Sequence, residues 1–84
     1  MSRTRPVQPE DDNLEHDTIS IRVNGAHRRV LKGISVADLA LELGLEPTKV
    51  AVERNLEIVP RSTLAQVQVE DGDDFEIVTF VGGG

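Results

Sequence analysis

The chain has 84 residues, enough for one small domain, and its nine basic and fifteen acidic side chains give a net charge of −6. This balance opposes binding to nucleic acid or to a membrane surface, because basic side chains supply most of the affinity in both cases. No apolar stretch is long enough to span a bilayer, and the N-terminal residues lack the apolar segment of a signal peptide. The sequence contains no cysteine, which excludes a disulfide and a thiolate metal site. We therefore expect a soluble cytoplasmic protein.

Residues 1–17 contain two prolines, many charges and almost no apolar side chain. Such a segment buries too little apolar surface to offset the entropy lost on ordering. We therefore predict a disordered N-terminal extension at 1–17, a folded domain at 18–81 and a flexible glycine tail at 82–84.

The folded part begins with two strands. Ile19, Ile21 and Val23 alternate with polar residues, which is the period of a half-buried strand. Asn24 and Gly25 both tolerate positive φ and predict a two-residue turn. A second strand is expected in the following AHRRVLK segment, where the alternation of apolar and polar residues is poorer.

A helix is predicted after Ser35, which is a good N-cap with Asp38 three residues later. Gly44 suits the left-handed position after the last turn, and Leu45 is placed to fold back onto that turn. Four apolar residues at the spacing i, i+3, i+4, i+7 would form one stripe along this helix: Val36, Leu39, Ala40 and Leu43.

Further strand segments follow the helix. Val50 and Val52 share a face, Asn55 indicates a turn, and Pro60 ends that segment. The apolar residues of the next stretch, Leu64, Val67 and Val69, lead to a turn at 70–73 and to a last strand that runs into the glycines. One helix packed on a mixed sheet of four to five strands, with a central final strand, predicts an α+β fold of the β-grasp (ubiquitin-like) type.

Residues that could form a catalytic or metal site are scarce. His27, Arg28 and Arg29 could bind a phosphate, but we favour a solvated strand end. The EDGDD segment at 70–74 lacks the ligand spacing of a calcium loop and is interpreted as a tight turn. We therefore predict no catalytic residue, no metal site and no bound cofactor.

The sequence ends in FVGGG. A terminal carboxylate can be activated as an acyl-adenylate, and glycines, which lack β-carbons, can pass through a narrow enzyme channel; three extended residues span about 10 Å. The glycines alone leave open whether this tail is functional or an irrelevant end.

The last strand also predicts a partner surface. Phe75, Ile77, Thr79 and Val81 lie on one face; Glu76, Val78 and Phe80 lie on the other. If the glutamate is solvated, Val78 and Phe80 are exposed apolar groups beside the tail and could dock a partner. A strand buried on both faces would instead hide them.

The strand-turn-strand-helix start is followed by two segments, NLEIVPR at 55–61 and EDGDDFEIVTFVGGG at 70–84. Together these features resemble the ThiS family, the sulfur carrier proteins of thiamin biosynthesis. The resemblance covers about 18–84. The long N-terminal extension departs from the usual short form of the family.

The resemblance implies a carrier protein that is a co-substrate and not an enzyme. A ThiF-type adenylating enzyme, using ATP and magnesium, would activate the carboxylate of Gly84, with Gly82 and Gly83 threaded into it. A sulfur donor system such as a cysteine desulfurase would supply sulfur for a C-terminal thiocarboxylate, and thiazole synthase would take that sulfur.

Three alternatives remain open from the sequence: the small subunit of molybdopterin synthase, a ubiquitin-like protein modifier, and an interaction domain with an irrelevant tail. The N-x-x-I-V-P-R segment argues against the first.

Overall fold

The computed structural model describes residues 17–80. Within this range the elements are, in chain order, β1 Thr18–Val23, β2 Ala26–Leu31, α1 Val36–Glu42, a 3₁₀ helix Pro47–Lys49, β3 Val50–Arg54, β4 Glu57–Val59, a second 3₁₀ helix Arg61–Thr63, and β5 Asp74–Thr79. The predictions for 1–16 and 81–84 fall outside the described residues. Asp17, predicted as the end of the extension, is described, and its backbone oxygen accepts a hydrogen bond from Lys32 N–H.

The first two strands form the predicted hairpin. β1 and β2 pair antiparallel from Thr18 opposite Leu31 to Val23 opposite Ala26. Asn24 and Gly25 both have positive φ, 51° and 85°, as a two-residue hairpin turn of this kind requires.

The helix is capped at both ends by the residues that the sequence indicates. Ser35 Oγ accepts a hydrogen bond from Asp38 N–H at 3.0 Å, and the Asp38 carboxylate accepts one from Ser35 N–H at 3.2 Å. At the other end Gly44 has φ 80°, and Leu45 N–H bonds back to Ala40 O at 2.9 Å. This is a Schellman motif, which satisfies carbonyls that the last helical turn leaves free.

The chain between β4 and β5 runs past the start of the helix without forming a strand. Val36 N–H donates to Val67 O, and Ala37 N–H donates to Leu64 O, both at 2.9 Å. A helix cannot satisfy its own first N–H groups, so this segment supplies their acceptors. It also buries Leu64 and Val69 in the core.

The five strands form one mixed sheet in the order β2-β1-β5-β3-β4. β5 lies in the centre, parallel to β1 and antiparallel to β3. The Asn24 side chain extends the β1–β5 pairing, because it donates to Ile77 O at 3.1 Å and accepts from Ile77 N–H at 2.8 Å. The predicted β-grasp fold with a central final strand is confirmed.

The core lies between the helix and one face of the sheet. It is aliphatic apart from Phe75, which is fully buried. The predicted helix stripe is confirmed: Val36, Leu39 and Ala40 are fully buried, and Leu43 packs against the core from a partly buried position. The other face of the sheet is here called the outer face, and the α-helix of residues 17–80 does not cover it.

Candidate functional site

The central strand carries the chain toward its terminal glycines. β5 ends at Thr79, and Phe80 N–H then donates to Lys49 O at 2.8 Å. Phe80 is therefore held to the domain, and it is the last residue that the structure describes. Gly82, Gly83 and Gly84 lie beyond the described residues, so their predicted roles stay predictions.

The side chains of β5 divide between the two faces of the sheet as predicted. Phe75 and Ile77 are buried, at 0% and 4% exposure, whereas Val78 and Phe80 are 58% and 44% exposed. The predicted exposure of Val78 and Phe80 on the outer face is thus confirmed. Their role in docking a partner stays a prediction.

The exposed apolar surface is larger than the sequence indicated. Ala51 lies opposite Val78 across β3 and β5, and Ile58 on β4 is 76% exposed. Together with Leu56 these residues line a shallow groove of about 570 Å³ on the outer face. We call Ala51, Leu56, Ile58, Val78 and Phe80 the outer-face patch. The alternation of Ile58 with the buried Val59 was a signal that could have identified Ile58 from sequence.

Leu56 has an unusual conformation for a leucine. It follows Asn55 in the turn between β3 and β4. The φ angle is 72° at Leu56 and 51° at Asn55. Positive φ is strained for a residue with a branched apolar side chain and is tolerated better by asparagine. The Leu56 side chain is nevertheless 88% exposed, so packing against the core does not compensate for this strain. Strained residues of this kind are concentrated at functional sites.

Charged residues also line the groove. Glu53 on β3 and Glu76 on β5 are direct cross-strand neighbours and both are exposed. Like charges in this arrangement repel each other, and neither carboxylate has a salt bridge within residues 17–80. Glu53 is also directly opposite Ile58, so the acidic pair lies within the patch. Arg61 lies over the Phe80 ring, 5.1 Å from its centroid. The groove therefore contains an acidic pair and a separate basic residue beside Phe80.

The two sequence segments that carry the family resemblance meet at Asp73. This carboxylate is 5% exposed and accepts hydrogen bonds from Arg54 Nε at 2.9 Å, Asn55 Nδ2 at 3.1 Å and Glu70 N–H at 2.9 Å. Asn55 Oδ1 also accepts from Asp74 N–H at 3.0 Å. The predicted turn at 70–73 is confirmed, and its buried aspartate fixes the β3–β4 hairpin against the start of β5.

His27, Arg28 and Arg29 do not converge on one point. His27 is exposed, Arg28 forms a salt bridge of 3.7 Å with Glu42 on the helix side, and Arg29 donates to Thr18 Oγ1 at 2.6 Å on the outer face. The preferred interpretation, a solvated strand end, agrees with this arrangement.

The described part of the chain contains neither a cluster of metal ligands nor a membrane-spanning helix. Within residues 17–80, no three His, Asp or Glu side chains lie close enough together to hold a metal ion. No helix in the same range has the length and apolarity needed to cross a membrane.

Comparison with known proteins gives consistent matches. A family model described as the ThiS family matches residues 21–84. The sulfur carrier protein ThiS of Bacillus subtilis is 44% identical over 50 residues, which are 60% of this chain and 76% of that protein. The crystal structure of the thiamine biosynthesis protein ThiS from Geobacter metallireducens has a TM-score of 0.66 and 32% sequence identity, and covers 79% of this chain and 100% of its own.

A larger protein also contains a similar segment. A thiazole synthase of Paramagnetospirillum magneticum is 56% identical over 62 residues, which are 74% of this chain but only 19% of the synthase. The chain thus spans about a fifth of the length of that relative.

Proposed function

Because the chain belongs to the ThiS family of sulfur carrier proteins, we propose that it carries sulfur for thiazole formation in thiamin biosynthesis on the carboxylate of Gly84. The observation that carries this proposal is the position of the end of β5. The central strand leads directly to Phe80, which belongs to the exposed outer-face patch, and four residues separate Phe80 from the Gly84 carboxylate. The reactive group and the docking surface would then lie on the same part of the protein.

The proposed chemistry needs no side chain of the carrier. A carboxylate oxygen of Gly84 attacks the α-phosphorus of ATP on a ThiF-type adenylating enzyme, which also uses magnesium, and pyrophosphate leaves. A sulfur nucleophile at the oxidation level of sulfide then attacks the acyl carbon. A C–S bond forms, the C–O bond to phosphate breaks and AMP leaves, so that the product is a thiocarboxylate. The protein acts in this scheme as a co-substrate of other enzymes.

The distance that the terminus can reach limits where the partner's active site can be. A chain extends at most about 3.5 Å per residue, so four residues place the Gly84 carboxylate no more than about 14 Å from Phe80. Gly82 and Gly83 would occupy the narrowest part of the channel, since a glycine presents no β-carbon to its walls. A partner that adenylates Gly84 must therefore contact the domain close to Phe80.

We propose thiazole synthase as the acceptor of the sulfur. The similar segment within the Paramagnetospirillum magneticum thiazole synthase supports this choice, because a relative of this domain is part of a synthase chain there. The outer-face patch would bind an apolar surface of the partner. The acidic pair Glu53 and Glu76 and the cation of Arg61 favour a partner surface with a basic group opposite the pair and an acidic group opposite Arg61.

The proposal is tested by adding one serine after Gly84 in the full chain. The reacting carbon would move by about 3.5 Å, and a misplacement of about 1 Å can already cost a hundredfold in rate. ATP–pyrophosphate exchange with a ThiF-type enzyme should be abolished, while circular dichroism of the fold is unchanged. Gly83→Phe should give a similar defect, because the bulky side chain blocks the channel while the carboxylate remains.

The matched control carries the same added serine at the N-terminus and should be adenylated normally. Intact mass measurement after incubation with ATP, magnesium and a sulfur source should show one oxygen replaced by one sulfur. If the C-terminally extended protein supports ATP–pyrophosphate exchange at the wild-type rate, the proposal is refuted. Isopeptide bonds to lysines of other proteins would instead indicate a ubiquitin-like modifier.

A further inference from the structure

Arg61 lies beside Phe80, at a point where three separate parts of the chain meet. It is the first residue of the second 3₁₀ helix and directly follows Pro60. Its Nη1 donates to the backbone oxygen of Thr48 at 3.5 Å, and its guanidinium carbon lies 5.1 Å from the centroid of the Phe80 ring. Lys49, the neighbour of Thr48, accepts the hydrogen bond from Phe80 N–H.

This arrangement orients a ring that would otherwise have few constraints. Phe80 follows the last residue of β5, and its side chain is 44% exposed. The Phe80 backbone N–H forms a strand-like hydrogen bond to Lys49 O. A guanidinium over the ring face is attracted by the negative charge of the π-system and leaves the ring edge free.

We propose that Arg61 is a positioning residue, which holds the Phe80 ring in the orientation that the adenylating enzyme binds. This inference rests on the proposed function. Arg61 acts through Phe80 and takes no part in the chemistry at Gly84. A protein without this contact must order Phe80 during docking, which lowers the fraction of molecules ready to bind.

The expected kinetic effect is specific. Once the partner is bound, its own surface holds the ring, so the loss of Arg61 should raise KM for the carrier and leave kcat unchanged. Loss of an exposed cation–π contact corresponds to about a two- to fivefold change in an equilibrium. We expect a KM increase of that size for Arg61→Gln, which removes the charge and keeps most of the aliphatic stem.

The first measurement needs no partner. Amide hydrogen exchange of Phe80 in the full chain reports the opening of its hydrogen bond to Lys49 O. In Arg61→Gln this exchange should be about two- to fivefold faster, the range of an exposed cation–π contact, with the amides of β1 and the helix unchanged. Arg61→Lys should recover part of the protection, because an ammonium group also binds a ring face.

The second measurement is steady-state adenylation by a ThiF-type enzyme with ATP and magnesium. The matched control is Arg29→Gln on the outer face of β2, where the guanidinium bonds to Thr18 and Ser20 and lies on a different strand from the patch. This control should keep the wild-type KM and the wild-type exchange rate of Phe80. Arg61→Lys should lie between wild type and Arg61→Gln in KM.

Three results would overturn the inference. If the Phe80 amide of Arg61→Gln exchanges at the wild-type rate, the arginine does not hold Phe80. Faster exchange with an unchanged KM would show that the orientation of Phe80 does not matter for docking. An Arg61→Lys variant with no recovery in either measurement would exclude a cation–ring contact as the cause. If wild type itself is not adenylated, the proposed function fails, and the exchange data still decide whether Arg61 positions Phe80.

Discussion

Leu56→Gly is expected to stabilise the domain while removing part of the outer-face patch. Leu56 has φ 72°, a conformation that costs an L-residue about 1–2 kcal/mol and costs glycine nothing. Against this gain, glycine loses more backbone entropy on folding, about 0.4–1 kcal/mol. The side chain is 88% exposed, so the loss of its small buried fraction costs only about 0.3 kcal/mol.

The sum is a gain of about 0.5 kcal/mol in the free energy of unfolding, or an increase in Tm of roughly 2–4 °C for a domain of this size. Leu56→Ala is the matched control, because alanine loses the apolar side chain but keeps the β-carbon that makes positive φ unfavourable. Its stability should be equal to or slightly below that of wild type. Both variants should bind the adenylating enzyme more weakly, since both lose the same exposed leucine.

Urea denaturation followed by circular dichroism, in parallel with adenylation kinetics, measures both effects. A glycine variant less stable than the alanine variant would refute the strain argument. Wild-type binding by both variants would exclude Leu56 from the docking surface.

Two further substitutions test the core and the patch separately. Leu39→Ala, at a fully buried position of the helix, should lower the free energy of unfolding by about 2–5 kcal/mol, as measured by denaturant titration. A stability close to that of wild type would show that the helix presents a different face to the core. Phe80→Ala should leave the domain folded by circular dichroism and weaken binding to the adenylating enzyme or thiazole synthase, measured by titration calorimetry; equal loss of fold and binding would place Phe80 in the core.

Sequence patterns predicted those features that depend on residues close together in the chain. The helix from its Ser35 cap to Gly44 follows from side chains within one or two turns of each other, and the Asn24–Gly25 turn follows from two adjacent residues. The division of β5 into a buried and an exposed face follows from the period of a strand. These predictions held because each rests on local backbone geometry.

Features that depend on distant residues needed the tertiary structure. Asp73 belongs to a turn that its sequence marks as exposed, yet it is buried because Arg54 and Asn55, nearly twenty residues earlier, arrive as its hydrogen-bond donors. No local pattern identifies which donors will meet a given carboxylate.

The sequence by itself predicted the β-grasp fold and the helix face, and it offered exposed Val78 and Phe80 as one of two alternatives, between which the structure decided. The structure alone decided that Leu56 and Ile58 join Val78 in one groove and that Arg61 covers the Phe80 ring. The physical reason is register. Which side chains become neighbours on a sheet face depends on how β3, β4 and β5 pair, and pairing between strands far apart in sequence is set by packing of the whole core.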